Sequence, residues 1–212
     1  MESQLVMKQK SDASPDSMLY CASPRILRLC SVEEAIAYQN DDILHRFTKV
    51  WDVSFEEAED LFLEVKKWLW LCSQPKDQGL GISKPLLILD EMWHNFILFT
   101  AEYTEYCYSH FGRYIHHAPT SQSEIDAYKQ QREIEPDVAI GKMMEEQQKQ
   151  FEFIYKKLGV ETLFKWYVEY PERYNEDFFK GSYRPMEMGW SPSPEIKKIV
   201  TLFKAGRVKI LD

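Results

Sequence analysis

The sequence predicts an all-α protein: a multi-helix bundle with an irregular, aromatic-rich C-terminal extension. Three observations carry that prediction. Apolar residues recur at intervals of three and four, as in Ala58, Leu61, Phe62, Val65, Trp68, Leu69 and Cys72, a spacing that gathers them on one helix face. Start signals precede such stretches, Ser31 with Glu34 and Ser54 with Glu57, pairs in which each side chain accepts the other residue's backbone amide. Only Arg207-Val208-Lys209-Ile210-Leu211 alternates like a strand, and no second strand offers itself as a partner.

In chain order, the Ser31 signal opens a short helix over about 32–39. Ser54 caps a helix of about five turns that ends at the turn cluster Pro75-Lys76-Asp77-Gln78-Gly79-Leu80-Gly81, where glycine and proline punctuate the chain. A second long helix is expected from Lys84 or Pro85 to Phe111, stopped by Gly112, which reaches the left-handed conformation at little cost. Its residues 86–89 and 96–99 are apolar almost all round, so it is expected at the centre of the bundle. A polar loop, 119–136, leads to a third long helix over 137–157 with Gly159 beyond it, then a shorter helix, 161–169, stopped by Pro171. The stretch 171–192 reads as an ordered, irregular connection packing through Tyr174, Phe178, Phe179, Tyr183 and Trp190. Ser193-Pro194-Glu195 opens a last helix with Ile196, Ile199, Val200 and Phe203 along one side. The corresponding organisation is a flexible tail at 1–18, a helical domain at 19–170, and an extension at 171–212 that packs on the domain or on a partner.

Composition narrows the function classes. A chain of 212 residues with 14% aromatic residues can bury a full core. A net charge of −8 argues against a dedicated nucleic-acid binder, which needs a clustered basic surface for phosphates. No run of about 18 apolar residues is available to span a bilayer. The start, Met1 to Asp16, is polar and has no export-signal core. Cys21, Cys30, Cys72 and Cys107 form no CxxC pair, so a cytoplasmic setting with free thiols is expected. An even count leaves two disulfides formally open.

Chemistry-bearing groups concentrate in one stretch. Four of the five histidines, His94, His110, His116 and His117, fall within 24 residues, with Asp90, Trp93, Tyr103 and Cys107 among them. Imidazole, carboxylate and thiolate are the groups that hold transition metals or move protons near neutral pH. Asp90 and His94 are four apart, one helical turn, and share a face. Trp93, Phe96, Tyr103, Cys107 and His110 lie off that face. On a straight helix the turn at Gly112 would lie about 30 Å from His94, so His116 or His117 returns only if the chain folds back. A bend near Thr100 would shorten that path. The metal set read from the sequence is Asp90, His94 and His116, holding a divalent ion such as zinc or iron. The wider functional cluster adds Trp93, Tyr103 and Cys107. The bland alternative is a satisfied Asp–His pair inside an aromatic bundle.

The pattern Asp90-x-x-Trp93-His94, then Tyr103, Cys107, Gly112 and His116, resembles the glycine-rich domain-containing protein-like family over about residues 30–118. The helix at 54–72 resembles that family's entry helix. The family often has a second histidine two places after the first, where this chain has Phe96. The resemblance implies relatives rather than an activity.

Two functions compete. The first is a helical interaction or structural module that binds a protein or peptide partner, to which the C-terminal amphipathic helix with Lys197, Lys198 and Lys204 would contribute. The second is a metal-dependent or acid–base enzyme using Asp90, His94 and His116. Nucleophilic catalysis by Cys107 with His110 lacks any sign of an oxyanion hole. Gly79-Leu80-Gly81 is followed by no phosphate-binding lysine motif.

Overall fold

A computed structural model describes residues 30–75, 80–184 and 193–205. Among them the chain is all-α, with no strand; one isolated antiparallel bridge pairs Trp51 with Tyr183. The expected tail at 1–18, the turn residues 76–79, Trp190 and the alternating stretch 207–211 lie outside the described residues.

Helix α1 (Val32–Ile36) begins with both bonds of the Ser31–Glu34 capping box. It ends earlier than expected because Lys66 draws its last carbonyls away: the buried Nζ donates to Ile36 O and Tyr38 O. Helix α2 (Asp41–Val50), not anticipated from the sequence, starts from the Asn40 cap and buries Ile43, Leu44 and Phe47. Helix α3 (Phe55–Ser73) opens with the complete Ser54–Glu57 capping box.

Helix α3 is the central element, a place the sequence reading gives to the helix that follows. It packs against α1, α2, and two elements further on, α4 (Leu87–Ile97) and α7 (Pro136–Phe164). Burial all round is open to α3 because its polar residues find partners. Glu64, 1% exposed, accepts from Trp166 Nε1 at 2.8 Å and Lys165 Nζ at 3.1 Å. Lys66, 4% exposed, is held by the two α1 carbonyls. Buried polar groups are tolerable when so satisfied. A buried amide ties α2 to α4 in the same way: Asn95 donates to Ile43 O and accepts from Arg46.

The helix expected from 84 or 85 to 111 is divided. A 3-10 turn (Lys84–Leu86) leads into α4, which stops at Ile97; Leu98 and Phe99 form a break, and α5 (Thr100–Phe111) restarts. Phe99, at φ −85° and ψ 66°, redirects the chain so that Tyr103 can pack edge-on against Phe96 at 5.0 Å. Gly112 closes α5 in the left-handed conformation, φ 66°.

The region expected as a polar loop contains α6 (Gln122–Ile134), opened by a Ser121–Glu124 capping box. Its residues are largely exposed, and it packs with α7 as an antiparallel pair. Helix α7 kinks at Gly159, φ 85° and ψ 174°, the interruption expected beyond residue 157. A π-helical turn (Lys165–Glu169) follows, and α8 (Tyr170–Arg173) continues through Pro171 rather than ending before it. Proline is tolerated there because it directly follows the π-helical turn, where the regular i→i−4 ladder is already interrupted. The connection that follows is not wholly irregular: α9 (Glu176–Gly181), capped by Asn175, brings Phe178 and Phe179 onto Trp51. Helix α10 (Pro194–Lys204) matches the expected last helix.

A candidate metal centre at the mouth of a cavity

Helix α4 places Asp90 and His94 one turn apart, with Asp90 Oδ2 and His94 Nδ1 separated by 3.8 Å. The third member comes from the chain beyond Gly112. His117 Nε2 lies 2.9 Å from Asp90 Oδ1, and its ring stacks on His94 with centroids 4.6 Å apart and planes 8° from parallel. One donor atom from each of Asp90, His94 and His117 lies within 4.8 Å of the other two. Asp90 and His117 are mostly covered, whereas the His94 side chain is 52% exposed.

A buried chain of hydrogen bonds secures the return of residue 117. Trp93 Nε1 donates to Tyr103 Oη at 3.0 Å, and Tyr103 Oη donates to the carbonyl of Ile115 at 2.6 Å. The break at Leu98–Phe99 makes this possible, because it turns Tyr103 of α5 toward Trp93 of α4. The outer face of Trp93 then carries the His117 ring at 4.1 Å between centroids. Burial first, and then the neighbouring Cys107, push the Tyr103 phenol far up, so it stays neutral and keeps its proton to donate.

Cys107 is fully buried and borders the same knot, beside Tyr103 and the Ile115 backbone. Burial pushes its thiol up, although the neighbouring Ile115 backbone and Tyr103 oppose this. A thiol held protonated is a poor nucleophile and a poor metal ligand. His110 sits elsewhere, with Nδ1 2.9 Å from Tyr106 O at the end of α5.

Of the sequence-derived cluster, Asp90, Trp93, His94, Tyr103 and Cys107 thus come together. His116 does not join Asp90 and His94; it is exposed and rests against Tyr114 at 4.9 Å. His117 occupies that place instead. The cause is the extended path after Gly112: successive side chains point to opposite sides, so Ile115 is buried, His116 exposed and His117 turned inward. The adjacent pair His116-His117 signalled a returning imidazole, but not which of the two would return.

The site opens on a cavity of about 810 Å³ whose wall includes Trp68, Asp90, Trp93, Arg113, Tyr114 and His117. Arg113 is anchored there, donating from Nη2 to the Cys72 carbonyl at the end of α3. Gly81, another lining residue, pairs both of its backbone groups with Gln150 of α7. Trp68 Nε1 has no hydrogen-bond partner, the one such buried side-chain atom among the described residues. Next to the cluster, burial raises the Glu91 carboxyl above its usual range, with His94 opposing and Asp90 adding to the shift.

Fold and site together define an all-α protein with two imidazoles and one carboxylate converging at the mouth of a cavity. The model of the UCP032817-like family, an uncharacterised family, matches residues 37–135, a stretch that contains all three converging side chains. That match corrects the resemblance to the glycine-rich domain-containing protein-like family, for which the spacing of Trp93, His94 and the later fixed points was too permissive a pattern. No curated protein and no solved structure matches the chain.

Proposed function

We propose that this protein binds one divalent transition-metal ion through Asp90, His94 and His117 and uses it in a metal-dependent reaction on a small molecule in the adjoining cavity. The observation that carries this reading is the convergence of the three donor atoms within 4.8 Å. Metal–ligand bonds of about 2.0–2.2 Å place neighbouring donors about 3 Å apart, close to the 2.9 Å between Asp90 and His117. The half-exposed His94 is free to swing inward by the remainder. Two imidazoles and a carboxylate on one side of an ion suit Fe(II) or Zn(II) and leave further positions open. Such an ion supplies Lewis acidity toward a substrate oxygen or an activated water. The chain's own part is orientation: Trp93 and Tyr103 hold the His117 segment, and Arg113 offers a positive charge on the cavity wall. Three free thiols among the described residues, Cys30, Cys72 and Cys107, agree with the proposed cytoplasmic setting.

The test is metal content by mass spectrometry after reconstitution with Zn(II) or, anaerobically, Fe(II). The wild type and His116→Ala are expected to hold near one equivalent, and His117→Ala and Asp90→Asn to hold none. Absence of metal from the wild type, or equal retention by His117→Ala, would overturn the proposal.

A second reading, an interaction module binding a protein or peptide, draws on a separate observation. The α6–α7 pair leaves Ile134, Val138 and Met144 exposed at 70%, 54% and 61%. Exposed apolar side chains on one helix pair are candidates for association.

A further inference from the structure

The charge of this chain is unevenly placed. From Ser193 to the last residue, five basic side chains (Lys197, Lys198, Lys204, Arg207, Lys209) oppose only Glu195 and Asp212, a surplus of +3 in a protein of net charge −8. The preceding residues therefore carry −11. Helix α10 lies in this basic segment, and three of its aliphatic residues, Ile196, Ile199 and Val200, share one face at helical spacing. They are 43%, 57% and 45% exposed. Among the described residues α10 makes no hydrogen bond or ion pair to the rest of the chain; its bonds run within the helix, as from Thr201 to Lys197.

We infer that α10 is a docking element for an anionic lipid surface. An amphipathic helix with lysines beside a narrow apolar stripe lies in the plane of a lipid–water interface, its apolar face among the acyl chains and its cations at the headgroups. Lys197 and Lys204 are seven apart, on the same flank of the apolar stripe, so their long stems can reach back to the headgroup level. The acidic body does not prevent this, because its field is screened beyond about 8 Å at physiological salt. It orients the molecule instead, turning the basic end toward the surface. That same acidic body would attract α10 too, yet among the described residues nothing covers more than about half of Ile196, Ile199 and Val200, which favours an occupant outside the chain.

The experiment is co-sedimentation of the full chain with vesicles of phosphatidylcholine alone and of phosphatidylcholine with phosphatidylserine. The wild type is expected on the phosphatidylserine vesicles only, with binding falling as salt rises. Replacing both lysines in Lys197→Gln/Lys198→Gln should weaken it by roughly thirtyfold, since each basic residue near the surface is worth about one power of ten or slightly less. Ile199→Asp should abolish it while leaving the melting temperature of the body unchanged. Equal binding to both vesicle types, no binding to either, or indifference to Ile199→Asp overturns the inference. So does hydrogen exchange showing α10 strongly protected in the free monomer, which would place it on the body of the chain.

Discussion

Tyr103 is the side chain on which the geometry of the site turns. Its hydroxyl accepts from Trp93 and donates to Ile115, both buried. Tyr103→Phe removes the hydroxyl and leaves a donor and an acceptor unsatisfied, at a cost of about 1–3 kcal/mol. Loss of the anchor should also weaken metal binding by about 10–100-fold, as groups supporting metal ligands commonly do. Urea denaturation and a Zn(II) titration check the two effects separately; an unchanged affinity would show that His117 is held by its ring contacts alone. Lys66 permits a prediction with a pH axis. Burial pushes its pKa down to about 8 from an ordinary 10.5. The unfolded chain then binds more protons than the native one between these values, so stability attributable to Lys66 rises as pH increases from about 8 to about 10.5. A neutral amine still carries two N–H groups for Ile36 O and Tyr38 O. Wild type compared with Lys66→Met across that range should show a growing advantage for the wild type; a flat difference would contradict the burial effect.

At the scale of elements, two glycines of α7 should respond in opposite directions to the same substitution. Gly159 sits at φ 85° and ψ 174°, where a side chain is strained even though nothing lies within 4 Å of the added Cβ. Gly159→Ala should therefore destabilise the protein by about 1–3 kcal/mol through the backbone alone. Gly141 lies in the regular, exposed part of α7 with equally open space, and Gly141→Ala should stabilise by about 0.5–1 kcal/mol. Chemical denaturation of both variants gives the sign directly, and a shared sign would refute the kink. Of the elements themselves, the capped helices were readable from the sequence because Ser31, Ser54 and Ser121 each meet a glutamate three residues on. The Ser121–Glu124 pair does not by itself announce α6, because that helix has no buried residue and hence no apolar stripe. The break at Leu98–Phe99 carries no glycine or proline; tertiary contacts of Phe96 and Tyr103 decide it.

The whole molecule is held together across sequence by Glu64. It joins α3 to the π-helical turn a hundred residues later, accepting from Trp166 and Lys165 while 1% exposed. Removing it in Glu64→Ala leaves the buried indole donor of Trp166 unpaired, while Lys165 keeps Asp60, and should cost about 1–3 kcal/mol. Glu145→Ala, which breaks an exposed pair with Lys149, should leave the melting temperature unchanged. Calorimetry of both variants tests whether the C-terminal half of the bundle depends on this buried tie. No helix of the described residues is long and apolar enough to cross a membrane.

What the sequence determined by itself was local: helical spacing, the capping boxes, the left-handed stop at Gly112, and the shared face of Asp90 and His94. These follow from interactions within about one helical turn, which a linear reading can register. The tertiary structure decided which helix lies at the centre, because burying Glu64 and Lys66 depends on partners far along the chain. It decided also that His117, and not His116, meets Asp90. That choice rests on the breaking of the helix at Phe99 and on the Trp93–Tyr103–Ile115 bonds, contacts between segments whose separation in sequence leaves no periodic trace.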